Sequence, residues 1–289
     1  MLETNITGRL ISTTPRSGTW SLAFFFQVLD ALCTGKNTIS IPFRDFTALN
    51  GLGFNLAVYH ISCPGFLSLA PPQAVATWAQ LQYPHPVLGF DAALNIVDAN
   101  SDLFYPNMND GARILYVYRN PLDQAVSIYF HGLEHRSTQV ADLMKAMKSP
   151  NRYAMKGGFD AYLKQFYTFY IMKPMFPDQI MMVPYESLVR ERVKTLREIV
   201  SFFAPSITDE RLQQCIEKAH EATTMQRLKY LENMLGHSLG NDQMSSKGPT
   251  HIRGGSIGKW KDWFSSSEVG SLQKKLNDYG IGFDKFIFE

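Results

Sequence analysis

An α/β fold built around a mainly parallel sheet is what this sequence predicts, on three observations. Short apolar runs alternate with longer runs of helical spacing along the whole chain, which is the pattern of strands joined by crossover helices. The run Ala112-Arg113-Ile114-Leu115-Tyr116-Val117-Tyr118 is almost continuously apolar, as suits a strand covered on both faces. The 289 residues, 45% of them hydrophobic and 19% charged, supply a substantial core and are expected to form one domain over residues 1–289.

Taken in order, Leu10 and Ile11 begin a short strand that runs into a Pro/Gly turn, and an apolar helical run follows from Ser21 to Leu32. Residues 34–53 are punctuated by Gly, Asn and Pro and read as a loop. A second strand is expected over 54–60, ended by Ser62-Cys63-Pro64-Gly65. Pro71-Pro72 opens a helix through Gln82, since proline is tolerated in a first turn. Pro86 to Phe90 reads as another strand, and 92–111 as a loop with one helical turn. After the strand 112–118, Arg119-Asn120-Pro121 breaks the chain and a helix runs through about His135. Polar residues 136–157 separate it from a helix near 159–172. Ile180 to Val183 form a short strand, and apolar residues from Leu188 to Phe203 keep helical spacing over 187–203. Further helices are expected from Thr208 and over about 224–235. Residues 236–258, rich in Gly and Ser, read as a loop. A last helix carries the capping-box signature Ser265-x-x-Glu268 and ends before Gly280.

Composition narrows the function classes. A net charge of +2 gives no case for nucleic acid held by bulk electrostatics, so anion binding must come from local clusters. The three cysteines, Cys33, Cys63 and Cys215, are widely spaced and read as reduced thiols, with no metal site implied. No apolar run is long enough to span a bilayer and the first residues lack a signal pattern, so a cytoplasmic protein without a membrane partner is expected. The oligomeric state is left open.

Three stretches carry chemistry. Thr14-Pro15-Arg16-Ser17-Gly18-Thr19-Trp20 joins a strand to a helix, where unpaired helix amides, the helix dipole and the Arg16 cation favour phosphate or sulfate. It is not the phosphate loop of nucleotide kinases, which needs Lys after its second glycine; Thr19 follows Gly18 here. In the second stretch, Arg119 to Tyr129, an arginine at a strand end stands beside a helix that carries Ser127, and a guanidinium fork there suits phosphate. Asp123 falls in that helix's first turn, where negative charge is favoured. The third, His251 to Phe264, places Arg253 before Gly254 and Gly255, whose amides can approach an anion closely. Trp260, Trp263 and Phe264 are expected to pin the end of that loop to the core.

Together these stretches resemble the PAPS-dependent sulfotransferases. The family's 5′-phosphosulfate loop, Pro-Lys-Ser-Gly-Thr or Pro-Arg-Ser-Gly-Thr, is similar to Pro15 through Thr19. Its 3′-phosphate signature, Arg-Asn-Pro-x-Asp-x-x-Val-Ser-x-Tyr, matches Arg119 to Tyr129, and its C-terminal Arg-Lys-Gly-x-x-Gly-Asp-Trp resembles Arg253 onward, with Gly254 for the Lys and Lys259 for the Asp. The resemblance implies the P-loop-like sulfotransferase fold, with 3′-phosphoadenosine 5′-phosphosulfate (PAPS) as donor, PAP as product and no metal requirement. It places Arg16, Ser17, Gly18, Thr19 and Trp20 on the 5′-phosphate, and Arg119, Ser127, Arg253, Gly254 and Gly255 on the 3′-phosphate. Tyr185, Thr223, Thr224 and Met225 fall where the family holds its adenine.

Sulfuryl transfer is an in-line displacement that needs a base for the acceptor and positive charge at the leaving oxygen. Arginine does not release its proton near neutrality, so the expected role of Arg16 is electrostatic. The base that the resemblance implies is a histidine at a strand end, matched by His60 in Val58-Tyr59-His60; a second alignment puts Asp91 in that role. The expected acceptor is a small molecule bearing a hydroxyl or amine. A PAP- or PAPS-binding protein of the same fold without turnover is the alternative reading.

Overall fold

The computed structural model describes residues 8–14, 16–34, 56–59, 95–96, 104–105, 112–134, 138–205, 210–235 and 255–286. Among the described residues, four parallel strands form the central sheet in the order β2-β1-β5-β6, with β1 Gly8–Thr13, β2 Leu56–Tyr59, β5 Ala112–Tyr118 and β6 Ile180–Pro184. The register pairs Ile11 with Val58 on one side and Leu115 on the other, and Val117 with Val183. The strands therefore end together, and the turns after β1, β5 and β6 share one edge of the sheet.

Alternation along β5 divides the core. Ile114 and Tyr116 face one apolar cluster, and Leu115 and Val117 face the other; all four are fully buried. The second face is covered by α1 (Thr19–Thr34), whose Leu22, Phe25, Phe26 and Leu29 repeat at helical spacing. Further chain order gives α2 (Pro121–Leu133), α3 (Thr138–Met147), α4 (Pro150–Tyr153), α5 (Phe159–Met175), α6 (Tyr185–Arg190), α7 (Arg192–Phe203), α8 (Glu210–Ala222), α9 (Met225–Leu235) and α10 (Ser266–Asp278). Helices α7 and α8 join α1 on the second face through Leu196, Ile199, Ile216 and Ala219. On the first face α2, α5 and α10 contribute Val126, Phe159, Leu163, Phe166 and Leu272. Helices on both faces of a parallel sheet give the expected α/β architecture.

Several boundaries differ from the sequence expectation. Residues 92–111 hold an antiparallel pair, β3 (Asn95–Ile96) with β4 (Phe104–Tyr105), where a loop with one helical turn was expected. The polar stretch 136–157 contains α3 and α4, because Ala141, Met144 and Pro150 are enough to seat them against the core. A π-turn at Ala154–Gly158 then links α4 to α5, with Gly157 at φ 117° absorbing the change of direction. The helix expected over 187–203 starts earlier and is two helices, α6 and α7, broken at Glu191 where the backbone leaves the helical region (φ −120°, ψ 43°). The expected helix at 71–82, the strand at 86–90 and most of the 236–258 loop lie outside the described residues.

Candidate functional site: an arginine cluster at the strand ends

The turn after β1 is built by its own backbone. The Thr14 amide donates to the Val117 carbonyl at 2.9 Å, which extends the β1–β5 ladder by one residue, and the Ser17 amide closes back on Thr14 at 3.1 Å. Arg16 and Gly18 both adopt left-handed backbone, at φ 67° and 86°. For a non-glycine residue that conformation costs roughly 1–2 kcal/mol, so surrounding contacts must hold Arg16 there. One is visible: Arg16 Nε donates to Ser127 Oγ on α2 at 3.3 Å. Ser17 is fully buried and its hydroxyl is hydrogen-bonded to Thr14. Gly18 accepts the first helical bond of α1, from Leu22, which leaves the amides of residues 19–21 without partners inside the helix. Ser21 Oγ is buried there and has no partner among the described residues.

Arg119 follows β5 and is only 6% exposed. Its guanidinium donates from Nη1 to the Arg16 carbonyl (3.2 Å) and from Nη2 to the Ser256 carbonyl (2.9 Å), and lies 4.8 Å from the centre of the Tyr185 ring. Nε has no acceptor, and no carboxylate pairs with this cation among the described residues. Its backbone is equally fixed. Tyr162 Oη donates to the Arg119 carbonyl at 2.6 Å, and the Asn120 amide donates to Glu186 Oε1 at 2.9 Å. Asn120 then caps α2 by accepting from the amides of Leu122 and Asp123, with Pro121 at the first helical position.

Tyr185 opens α6 and packs against this cluster. A Cβ on Gly18 would lie 3.1 Å from its ring, and a Cβ on Gly255 would lie 2.9 Å from its hydroxyl and 3.1 Å from Met225 Cε. Both glycines also have positive φ, so each position demands glycine twice over. Burial pushes the Tyr185 phenol above its ordinary value, with the Arg119 cation opposing that rise, so the ring stays neutral. Thr223 is buried; its hydroxyl donates to the Ala219 carbonyl at 2.7 Å. Arg192 Nη2 donates to Thr223, to the carbonyl at 3.2 Å and to Oγ1 at 3.3 Å. Thr224 Oγ1 accepts the Arg227 amide at the start of α9.

The structure thus brings together Arg16, Ser17, Gly18, Arg119, Ser127, Tyr185, Met225 and Gly255. Thr223 and Thr224 stand at the α8–α9 junction beside Met225. The backbones of Thr19 and Trp20 open α1. His60, Asp91, Arg253 and Gly254 lie outside the described residues. Trp260 and Phe264 pack on the first cluster, and Trp263 meets Phe130 edge-on, as expected for the end of that loop. Ser21, Arg192 and Tyr162 were not singled out from sequence; none carries a local signature, because each becomes notable only through a neighbour remote in the chain.

A family model described as "Sulfotransferase domain" matches residues 7–277. Sulfotransferase 2A6 of Rattus norvegicus is 21% identical over 227 residues, covering 75% of this chain and 76% of the relative. Cytosolic sulfotransferase 17 of Arabidopsis thaliana is 22% identical over 183 residues, which is 61% of this chain and 52% of that relative, so the match spans about half of the plant protein. Among solved structures, mouse sulfotransferase SULT7A1 complexed with PAP aligns over 98% of this chain and 87% of its own, with a TM-score of 0.55 at 14% identity. Retinol dehydratase in complex with androsterone and PAP aligns over 96% and 82%, with a TM-score of 0.52 at 14% identity.

Proposed function

Because the chain belongs to the sulfotransferase domain family, we propose that it moves a sulfuryl group from PAPS to a hydroxyl or amine of a small-molecule acceptor, working as one domain. The observation that carries this reading is Arg119. A buried guanidinium that no carboxylate salt-bridges among the described residues, its Nε without a partner there, asks for an anion. Ser127 stands on the adjoining helix and Gly255 on the facing loop, so the 3′-phosphate would be held between them. The amides opening α1, with Arg16, would hold the 5′-phosphate end, and Tyr185 and Met225, packed close on the bare backbone of Gly255, would meet the flat base. The two solved relatives named above contain PAP, which supports the choice of nucleotide.

Within that frame Arg16 stabilises charge on the leaving phosphate oxygen, and a fixed guanidinium does so without reorganisation. The acceptor proton goes to His60, or to Asp91 in the second alignment. Calorimetry with PAP tests the donor site. Micromolar binding is expected for the native protein, with a loss of about 100-fold or more in Arg119→Ala, the scale of a desolvated charged contact. Equal affinity in the two proteins overturns the assignment. Labelled PAPS offered with a panel of phenols, alcohols and amines then reads transfer directly. PAP binding without transfer to any of them would favour the inert nucleotide-binding protein instead.

A further inference from the structure

Asp123 takes no part in the donor chemistry above, yet it is only 1% exposed. No lysine, arginine or histidine pairs with it among the described residues. Both of its oxygens instead accept backbone amides from a distant segment: Oδ2 from Gly258 at 2.6 Å and Oδ1 from Trp260 at 3.0 Å. Those amides begin the 3₁₀ turn Lys259–Asp262, where the backbone turns at Gly258 with φ 83°. A helical turn leaves its first amides unpaired, and Asp123 supplies the missing acceptors from outside. It is not needed as a cap for its own helix, because Asn120 already performs that task.

The same segment touches Arg119 two residues earlier, through the Ser256 carbonyl. One carboxylate and one guanidinium, both at the start of α2, therefore fix residues 255–260 at two points. Without the first point the Ser256 carbonyl has no fixed position, and Arg119 loses the acceptor that orients Nη2. Gly255, against Tyr185 and Met225, would shift with it. We infer that Asp123 is a positioning residue for the donor: it clasps the 255–260 segment to α2 and so sets the Arg119 guanidinium for phosphate. The inference rests on the donor reading given above. Carboxylate is the apt group because it accepts at both oxygens and has no proton to place, whereas an amide of the same shape would turn an N–H against an N–H.

The test compares the native protein with Asp123→Asn. Amide exchange of Gly258 and Trp260 is expected to quicken at least tenfold in the variant, with the sheet amides unchanged. The PAP dissociation constant and the KM for PAPS should rise at least tenfold, while the acceptor KM stays within twofold. Unaltered exchange at Gly258 and Trp260 overturns the clasp, and quickened exchange with PAP affinity kept within twofold overturns its role in positioning. Absence of PAP binding in the native protein overturns the donor reading alone, since the exchange arm is read without nucleotide. Should Asp123→Asn fail to fold, exchange in the native protein decides: protection at Gly258 and Trp260 matching solvent-exposed turn amides overturns the clasp.

Discussion

Glu186 is fully buried; Oε1 takes the Asn120 amide, and Oε2 has no partner among the described residues. Burial raises its pKa above the ordinary 4.5, against the pull of the Asn120 amide and the Arg119 cation. A carboxyl raised in the fold binds extra protons only there. Its contribution to stability is therefore full below about pH 4.5 and is lost as pH climbs through the folded value. Glu186→Gln keeps the acceptor for Asn120 and removes the buried charge. The variant should melt a few degrees higher than the native protein at pH 7, and the gap should close as pH is lowered towards 4.5; a gap that persists there refutes this account. The residues of the site differ in how far sequence could read them. Arg16 and Arg119 sit in motifs whose chemistry is local, a cation beside a helix start. Asp123 was visible as a first-turn acid, but its partners lie 135 and 137 residues away, so its use could not be read from spacing.

Elements declare themselves by the same rule. Helix α10 was legible because its start signal is contained within four residues: Ser265 accepts the Glu268 amide and Glu268 accepts the Ser265 amide at 2.8 Å. Ser265→Ala should cost about 1 kcal/mol and lower the melting temperature by roughly 2–4 °C in a protein of this size, a loss that thermal denaturation can read. Strand β5 was equally clear, since burial on both faces needs an unbroken apolar run. Helix α3 was not, because of its apolar residues only Ala141 and Met144 are buried, while Val140, Leu143 and Met147 stay partly exposed. Nor was the break at Glu191. It divides α6 from α7 so that Tyr185 and Leu188 on one side of the break and Leu196 and Ile199 on the other reach the same core cluster, a demand set by tertiary packing.

At the scale of the molecule, the sheet separates two cores and carries the site at one end of its strands. Phe203 belongs to the second core, at the far end: it is 1% exposed and follows Phe202, whose carbonyl accepts from Arg113 near the start of β5. Phe203→Ala should cost about 3–5 kcal/mol by chemical denaturation. PAP affinity, measured where the variant is still folded, should stay within about threefold, because additivity holds between distant sites. The strand order has a further consequence, for the sequence of events in folding. β1 lies between β2 and β5, so it has one neighbour until the chain has been made past residue 118. Arg119 follows Arg16 by 103 residues, and Ser256 lies another 137 beyond Arg119. Contacts of such long range form late, and a chain emerging from the ribosome buries its early segments first. Arg119 is thus made, and its neighbourhood begins to close, well before the Ser256 carbonyl exists. The site is completed only once residue 256 has been made, so on the proposed donor reading nucleotide retention separates chains that have passed that point from those that have not.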